Sequence, residues 1–414
     1  MSDNQTVSLA DIQDAAERTR EHLVRTPCLH SAILSRLTGC ELYIKFENHQ
    51  FTASFKDRGA LNHLLQLDEK KRQRGVIAMS AGNHAQAVAY HAARLGIHAT
   101  IVMPRNTPNT KVRNTRSHGA DVHLEGNNID ESALYAQRLA AEQQLTFVHP
   151  YDDPHIIAGQ GTVALEMLEQ VEDLDCLVIP IGGGGLSAGC LVAAKALRPA
   201  IEIIGVETRR FPSMSQALAD EPIVCGRTTI AEGIAVGKPG ELPQALLRGR
   251  ISDILLVDEL EIENAILQLL EVEKTVAEGA GAAGLAAILE YPERFRDRRV
   301  GLVLCGGNMD MLALSSVIQR GLVRSERIVR VRVGIPDVPG GLADLTRLLS
   351  ELRANVIQIS HQRAFTDLSL RSTEIEATLE TLGGEHAKEV IEGLRQEGYD
   401  AMLPANEIHP TERR

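Results

Sequence analysis

Short apolar runs that alternate with helix-length amphipathic stretches restrict this chain more than any single motif does. The runs fall at 75–79, 99–103, 120–124, 176–180, 201–206, 254–257 and 300–304. Apolar residues at helical spacing follow most of them, over spans such as 130–144, 161–170, 259–272 and 277–290. Continuous apolar runs signal strands buried on both faces, and intervening helices supply the crossovers, so the pattern predicts parallel, doubly wound α/β sheets. The alternation changes character near residue 325. Residues 327–333 alternate charged and apolar, which predicts a strand with one wet face. A turn, helix 342–352, strands 355–360 and 373–379, helix 385–396 and a last short strand follow. This β-α-β-β-α-β order predicts an antiparallel sheet with helices on one face. The expected division is 1–325, with a smaller subdomain at about 46–150, and a second domain at 326–414. A length of 414 residues accommodates both.

Composition excludes several classes. The formal net charge of −12 argues against a nucleic-acid or anionic-membrane surface. No run approaches the length of a membrane span. Met1 to Thr6 are polar and show no secretory leader, so a cytoplasmic location is expected. Cys28, Cys40, Cys176, Cys190, Cys225 and Cys305 are scattered without a Cys-x-x-Cys pair, as suits free thiols. The 14 histidines show no metal spacing, and no metal is expected.

Two local features carry chemistry. Gly182-Gly183-Gly184-Gly185-Leu186 follows a buried strand and opens a helix. Backbone N–H groups freed by four glycines, with a helix N-terminus behind them, suit one anion. The spacing is neither that of a dinucleotide fingerprint nor that of a P-loop, which leaves a single phosphate monoester. Lys56, in Ser54-Phe55-Lys56-Asp57-Arg58-Gly59, stands where a strand passes into a helix. The helix dipole and desolvation both disfavour its ammonium form, and a neutral lysine is a nucleophile toward carbonyl compounds. Taken alone, the stretch fits a solvated lysine in a first helical turn better than a nucleophile, and the rest of the chain must decide. A lysine nucleophile together with one phosphate-monoester site points to pyridoxal phosphate.

The motifs then occur in a recognisable order: Ser54-Phe55-Lys56-Asp57-Arg58, Ser80-Ala81-Gly82-Asn83-His84-Ala85-Gln86, Gly159-Gln160-Gly161-Thr162, Gly182 to Leu186, Ala231-Glu232-Gly233 and Cys305-Gly306-Gly307-Asn308. Over about residues 10–320 the chain resembles the tryptophan-synthase-β-like (fold type II) pyridoxal-phosphate enzymes, and among them the serine/threonine dehydratases. The resemblance implies that Lys56 is the Schiff-base lysine and the base that takes the Cα proton. It implies that Phe55 packs near the cofactor ring and Asn83 binds its 3′-oxygen. Gly182, Gly183, Gly184, Gly185 and the Leu186 N–H hold its phosphate, which assists departure of the β-hydroxyl. Cys305 faces the pyridine nitrogen, where many relatives carry serine. Ser80, Asn83 and His84 receive the substrate carboxylate.

Two positions discriminate between activities. A thiol at Cys305 is a weak neutral partner and leaves the ring nitrogen unprotonated, which favours β-elimination over transamination. Serine racemases of this group carry a serine where Ala81 stands, and a methyl group cannot transfer a proton. Glu207 matches a cation-binding carboxylate of the racemase branch, but Ser213 stands where its partner aspartate would be, and a helix-capping role fits equally. The expected activity is threonine ammonia-lyase, yielding 2-oxobutanoate and ammonia from a hydroxy amino acid, with serine giving pyruvate. The alternatives are 3-hydroxyaspartate ammonia-lyase, serine racemase, or an amino-acid sensor with an inactive lyase body.

Residues 327–403 resemble an ACT domain, centred on Asp337, Pro339, Gly340 and Leu342. The resemblance implies an effector site at Asp337, Gly340 and Gly341. A branched-chain amino acid is the expected effector, because 2-oxobutanoate feeds isoleucine synthesis. An exposed sheet edge on such a domain implies pairing between subunits, as a homo-dimer or tetramer.

Overall fold

The computed structural model describes residues 6–362 and 371–403. Met1 to Gln5 and the end of the expected second domain, 404–414, lie outside the described residues. The chain divides into two compact units, Met1–Asp310 and Met311–Arg414. The division expected near 325 thus falls at 310, and helix Met311–Arg324 groups with the second unit.

The first unit holds two sheets. The larger has six strands in the order Cys28–His30, Glu41–Phe46, Arg299–Leu304, Cys176–Pro180, Glu202–Thr208, Asp253–Val257. All pair in parallel except the first, which is antiparallel to its neighbour. Its central strands, Cys176–Pro180 and Arg299–Leu304, are buried almost throughout, as expected of a sheet covered on both faces. The smaller sheet runs Asp121–Leu124, Ala99–Met103, Val76–Met79, Thr146–Phe147, all parallel. Its core is built from Val76, Ala78, Ile101 and Met103 of the strands and from Ala85, Val88 and Ala92 of helix Asn83–Arg94.

The helices begin where local chemistry allows. Leu9–Thr19 starts at a Ser8 capping box closed by Asp11. Pro154–Gln170 begins earlier than the periodicity at 161 suggests, because the Asp153 side chain accepts the Ile156 N–H and Pro154 occupies the first turn.

The second unit contains the antiparallel sheet Asn355–Gln362, Ser372–Glu380, Ile328–Pro336, Asp400–Met402, with helices Gly341–Glu351 and Gly384–Gln396. Val329, Val331, Val333 and Ile335 alternate inward against Leu345, Leu349, Val390 and Leu394.

Candidate active site

The carboxyl ends of parallel strands meet in the first unit, which is where open α/β sheets bind ligands. Strand Glu41–Phe46 leads to Lys56, and strand Val76–Met79 leads to Ser80–Asn83. Strand Cys176–Pro180 leads to the glycine loop, and strand Arg299–Leu304 to Cys305–Asn308.

Lys56 is the first residue of helix Lys56–Leu65. Its Nζ donates to the Pro150 carbonyl at 2.6 Å and lies 5.1 Å from the centroid of the Phe55 ring. Desolvation pulls the ammonium down to about 8, against smaller opposing contributions from Cys305 and Glu278. The lysine turn is fastened to the end of the neighbouring strand: Ser54 bridges Gly306, and the Phe55 N–H donates to the Cys305 carbonyl at 3.0 Å. Cys305 is buried, and burial pushes its thiol well up, so it stays protonated at neutral pH.

The glycine loop has the form of a cradle. Gly184 adopts φ +92°, a left-handed conformation that favours glycine, and caps helix Gly185–Leu197. A Cβ on Gly183 would sit 2.2 Å from the Tyr151 ring. Tyr151 follows Pro150, so one short segment touches both Lys56 and the loop. The first-turn N–H groups at Gly185 and Leu186 precede any intrahelical acceptor and are free to meet an anion.

Asn83 starts helix Asn83–Arg94 and is held from two sides. Its Nδ2 donates to Glu278 Oε1 at 2.6 Å, and its Oδ1 accepts from Asn308 Nδ2 at 2.7 Å. Burial pushes the Glu278 carboxyl up to about 7, partly offset by the Asn83 hydrogen bond. The His84 side chain is committed elsewhere. Its Nε2 donates to the Val148 carbonyl at 2.9 Å, and desolvation and the nearby Lys56 pull it down to about 3. A neutral imidazole so oriented has only a lone pair left at Nδ1, and a lone pair repels a carboxylate. What His84 can offer a substrate carboxylate is its backbone N–H, with those of Asn83 and Ala85 in the same first turn. Ser80 is half-buried beside them, its Oγ accepting the Gly82 N–H at 3.2 Å.

Beneath Lys56 lies a buried ion network. Arg58 pairs with Glu47 and Glu166, and Lys45 reaches Glu166 at 2.6 Å. Glu207 is fully buried and accepts the Met214 and Ser215 N–H groups at 2.8 and 2.9 Å, which makes it the cap of helix Ser213–Leu218. Desolvation pushes its carboxyl up to about 7. Sequence reasoning assigns no role to Glu278, the Arg58 network or Tyr151, nor to Asn308 beyond its place in a motif. The signal available for Glu278 is a carboxylate directly preceding a run of glycine and alanine.

In the second unit, Asp337 is exposed in the turn between Ile328–Pro336 and Gly341–Glu351, and Gly340 has φ +99°. The Gly341 N–H donates to the Val338 carbonyl at 3.2 Å, and the Asp337 N–H to the Arg371 carbonyl.

These side chains fit pyridoxal phosphate: a desolvated lysine, a cradle that a Cβ would obstruct, and a neutral thiol within one cleft. The sequence profile of the family described as pyridoxal-phosphate dependent enzyme matches residues 19–306. The chain is 43% identical to an L-threonine ammonia-lyase of Thermotoga maritima, over 96% of this chain and 99% of that one. It is 42% identical to a catabolic L-threonine dehydratase of Staphylococcus aureus, over 76% of this chain and 93% of the other. Among solved structures, the processed form of a threonine deaminase from Solanum lycopersicum is similar with a TM-score of 0.72 and 35% identity, covering 75% of this chain and 86% of that one. A serine racemase from Dictyostelium discoideum is similar with a TM-score of 0.69 and 34% identity, covering 74% and 99%. The chain belongs to the pyridoxal-phosphate-dependent enzyme family.

Proposed function

We propose that the chain is a threonine ammonia-lyase that converts L-threonine to 2-oxobutanoate and ammonia, and L-serine to pyruvate. When bound, pyridoxal phosphate supplies the electron sink that makes the substrate Cα–H acidic. The Lys56 amine, neutral in part near pH 8, takes that proton. The β-hydroxyl takes up a proton and leaves with its bonding electrons as water; the released enamine tautomerises to an imine, whose hydrolysis consumes one water and frees ammonia. The N–H groups of Asn83, His84 and Ala85, with the Ser80 hydroxyl, bind the carboxylate. Phe55 packs beside the cofactor ring, Gly182 to Leu186 take its phosphate, and Asn83 takes its ring oxygen. Cys305, neutral, leaves the ring nitrogen without a proton donor strong enough to ionise it.

The observation that carries this reading is the desolvated Lys56 amine set beside a thiol that stays neutral. The named relatives support it. The similarity to a serine racemase supports racemisation as a second reading. Ala81 weighs against it, since this methyl packs on the apolar core of the smaller sheet and cannot move a proton. A panel of L-threonine, L-serine and 3-hydroxyaspartate, read for 2-oxo acid and for D-serine, separates these readings. Threonine should give the highest rate with almost no D-serine from serine; D-serine as the main product would overturn it.

The second unit is proposed as an ACT-like sensor of a branched-chain amino acid, in a homo-oligomer. Its β-α-β-β-α-β order and the exposed turn at Asp337 and Gly340 support this. Isoleucine or valine titrated into the full chain should bind and shift the apparent threonine affinity by about 5- to 150-fold. No binding and no shift would refute it.

A further inference from the structure

The polarity of the Asn83 amide is dictated from a distance. The Thr52 carbonyl can only accept a hydrogen bond, and Asn308 Nδ2 lies 2.7 Å from it and 2.7 Å from Asn83 Oδ1. Both Asn308 N–H bonds are thereby used, and Asn83 must turn its oxygen toward Asn308. Its nitrogen then faces Glu278, whose Oε1 accepts at 2.6 Å, and one N–H of Asn83 remains to give. A carboxyl oxygen accepts in this way whether or not the group carries a proton. Each end of the relay is anchored. Thr52 donates its N–H and hydroxyl to the buried Asp57, at 2.9 and 2.5 Å. The Glu278 N–H donates to the Gly306 carbonyl at 3.1 Å. His91, on the same helix as Asn83, lies 3.3 Å from Asp57.

We propose that Asn308 and Glu278 are positioning residues that lock the Asn83 amide with its nitrogen, not its oxygen, presented to the ring oxygen of the cofactor. This rests on the reading of Asn83 as the contact for that oxygen. An N–H there stabilises the ionised ring oxygen, whereas a reversed amide would set a carbonyl dipole against an anion.

The test is absorbance of the full chain titrated with pyridoxal phosphate in the absence of substrate, so it does not depend on which amino acid is deaminated. The readout is the ratio of the band from the ionised ring oxygen to that from its neutral form. Asn308→Asp keeps the shape but removes both donors, and should lower the ratio about tenfold at a fixed pH. Glu278→Ala should lower it similarly, and Glu278→Gln, which retains an acceptor oxygen, should recover most of it. A folded Asn308→Asp protein with a wild-type ratio overturns the proposal. So does a Glu278→Gln protein no better than Glu278→Ala, which would mean that charge and not the hydrogen bond matters. If Asn308→Asp fails to fold by circular dichroism, the two Glu278 variants decide the matter. Loss of threonine turnover in wild type with these spectral shifts intact would strike the activity and leave the relay standing.

Discussion

Replacing Arg58 with methionine should destabilise the first unit by an amount that depends on pH. Arg58 binds Glu47 through Nε and Nη2 at 2.7 Å each, and Glu166 at 2.7 and 2.9 Å. The Arg58 and Glu47 side chains are 1% and 0% exposed. Once the guanidinium is gone, Glu166 keeps Lys45, while Glu47 is left with the Thr26 hydroxyl at 2.5 Å as its one hydrogen-bond donor among the described residues and with the charge of Lys45 nearby. An uncompensated buried carboxylate costs about 3–5 kcal/mol. For a unit of this size that corresponds to a fall of roughly 5–8 °C in melting temperature. In the wild type, burial pushes the Glu47 carboxyl up, and Arg58 overrides this by charge and hydrogen bonding to hold it below its ordinary range. That depressed value stabilises the fold above the unfolded carboxylate range and is lost as pH falls through the folded value. Without Arg58, burial, the largest influence, raises the value against the smaller pull of Lys45 and Thr26, so the deficit grows as pH rises past the ordinary carboxylate range. The gap between variant and wild type should therefore be larger at pH 8 than at pH 5. Calorimetry of the full chain with excess pyridoxal phosphate reads it, and Glu47→Gln added to Arg58→Met should restore more than half. A loss below about 1 kcal/mol, a gap unchanged by pH, or a double variant no better than the single one would refute this account.

Gly183→Ala would drive a methyl into the Tyr151 ring and should weaken cofactor affinity by about tenfold or more, through the roughly 1–3 kcal/mol of overpacking, as read by equilibrium titration. An unchanged affinity would show that the ring moves aside freely. With Lys56 at about 8, the rate at which cofactor-free protein captures pyridoxal phosphate should rise through pH 7 to 8 and flatten above 9. An amine at its ordinary value would instead keep climbing about tenfold per pH unit to pH 10, which stopped-flow absorbance distinguishes.

The parts legible in the sequence are those whose chemistry is local. Four consecutive glycines after a buried strand report a cradle, because no other residue permits Gly183 against Tyr151 or the φ of Gly184. Lys56 stands out at a helix start, but the desolvation that lowers its proton affinity comes from the chain packed around it. What escapes is held by partners far along the chain: Asn83 meets Glu278 and Asn308 across 195 and 225 residues. The His84 side chain reads as a carboxylate binder in the sequence because its tie to Val148 is a matter of packing, not of spacing. Strands Cys28–His30 and Thr146–Phe147 are too short to show a period, and they form only by pairing with neighbours already in place.

The role proposed for Lys56 is the proton transfer at the substrate Cα that a threonine ammonia-lyase requires. Its most direct test is the formation of 2-oxobutanoate and ammonia, in equal amounts, from L-threonine by the purified chain with pyridoxal phosphate, alongside Lys56→Ala. The wild type should turn over, and the variant, still folded, should lose about 10²–10⁴-fold or more of the rate. No 2-oxobutanoate from the wild type, or near-wild-type release from Lys56→Ala, would contradict the claim.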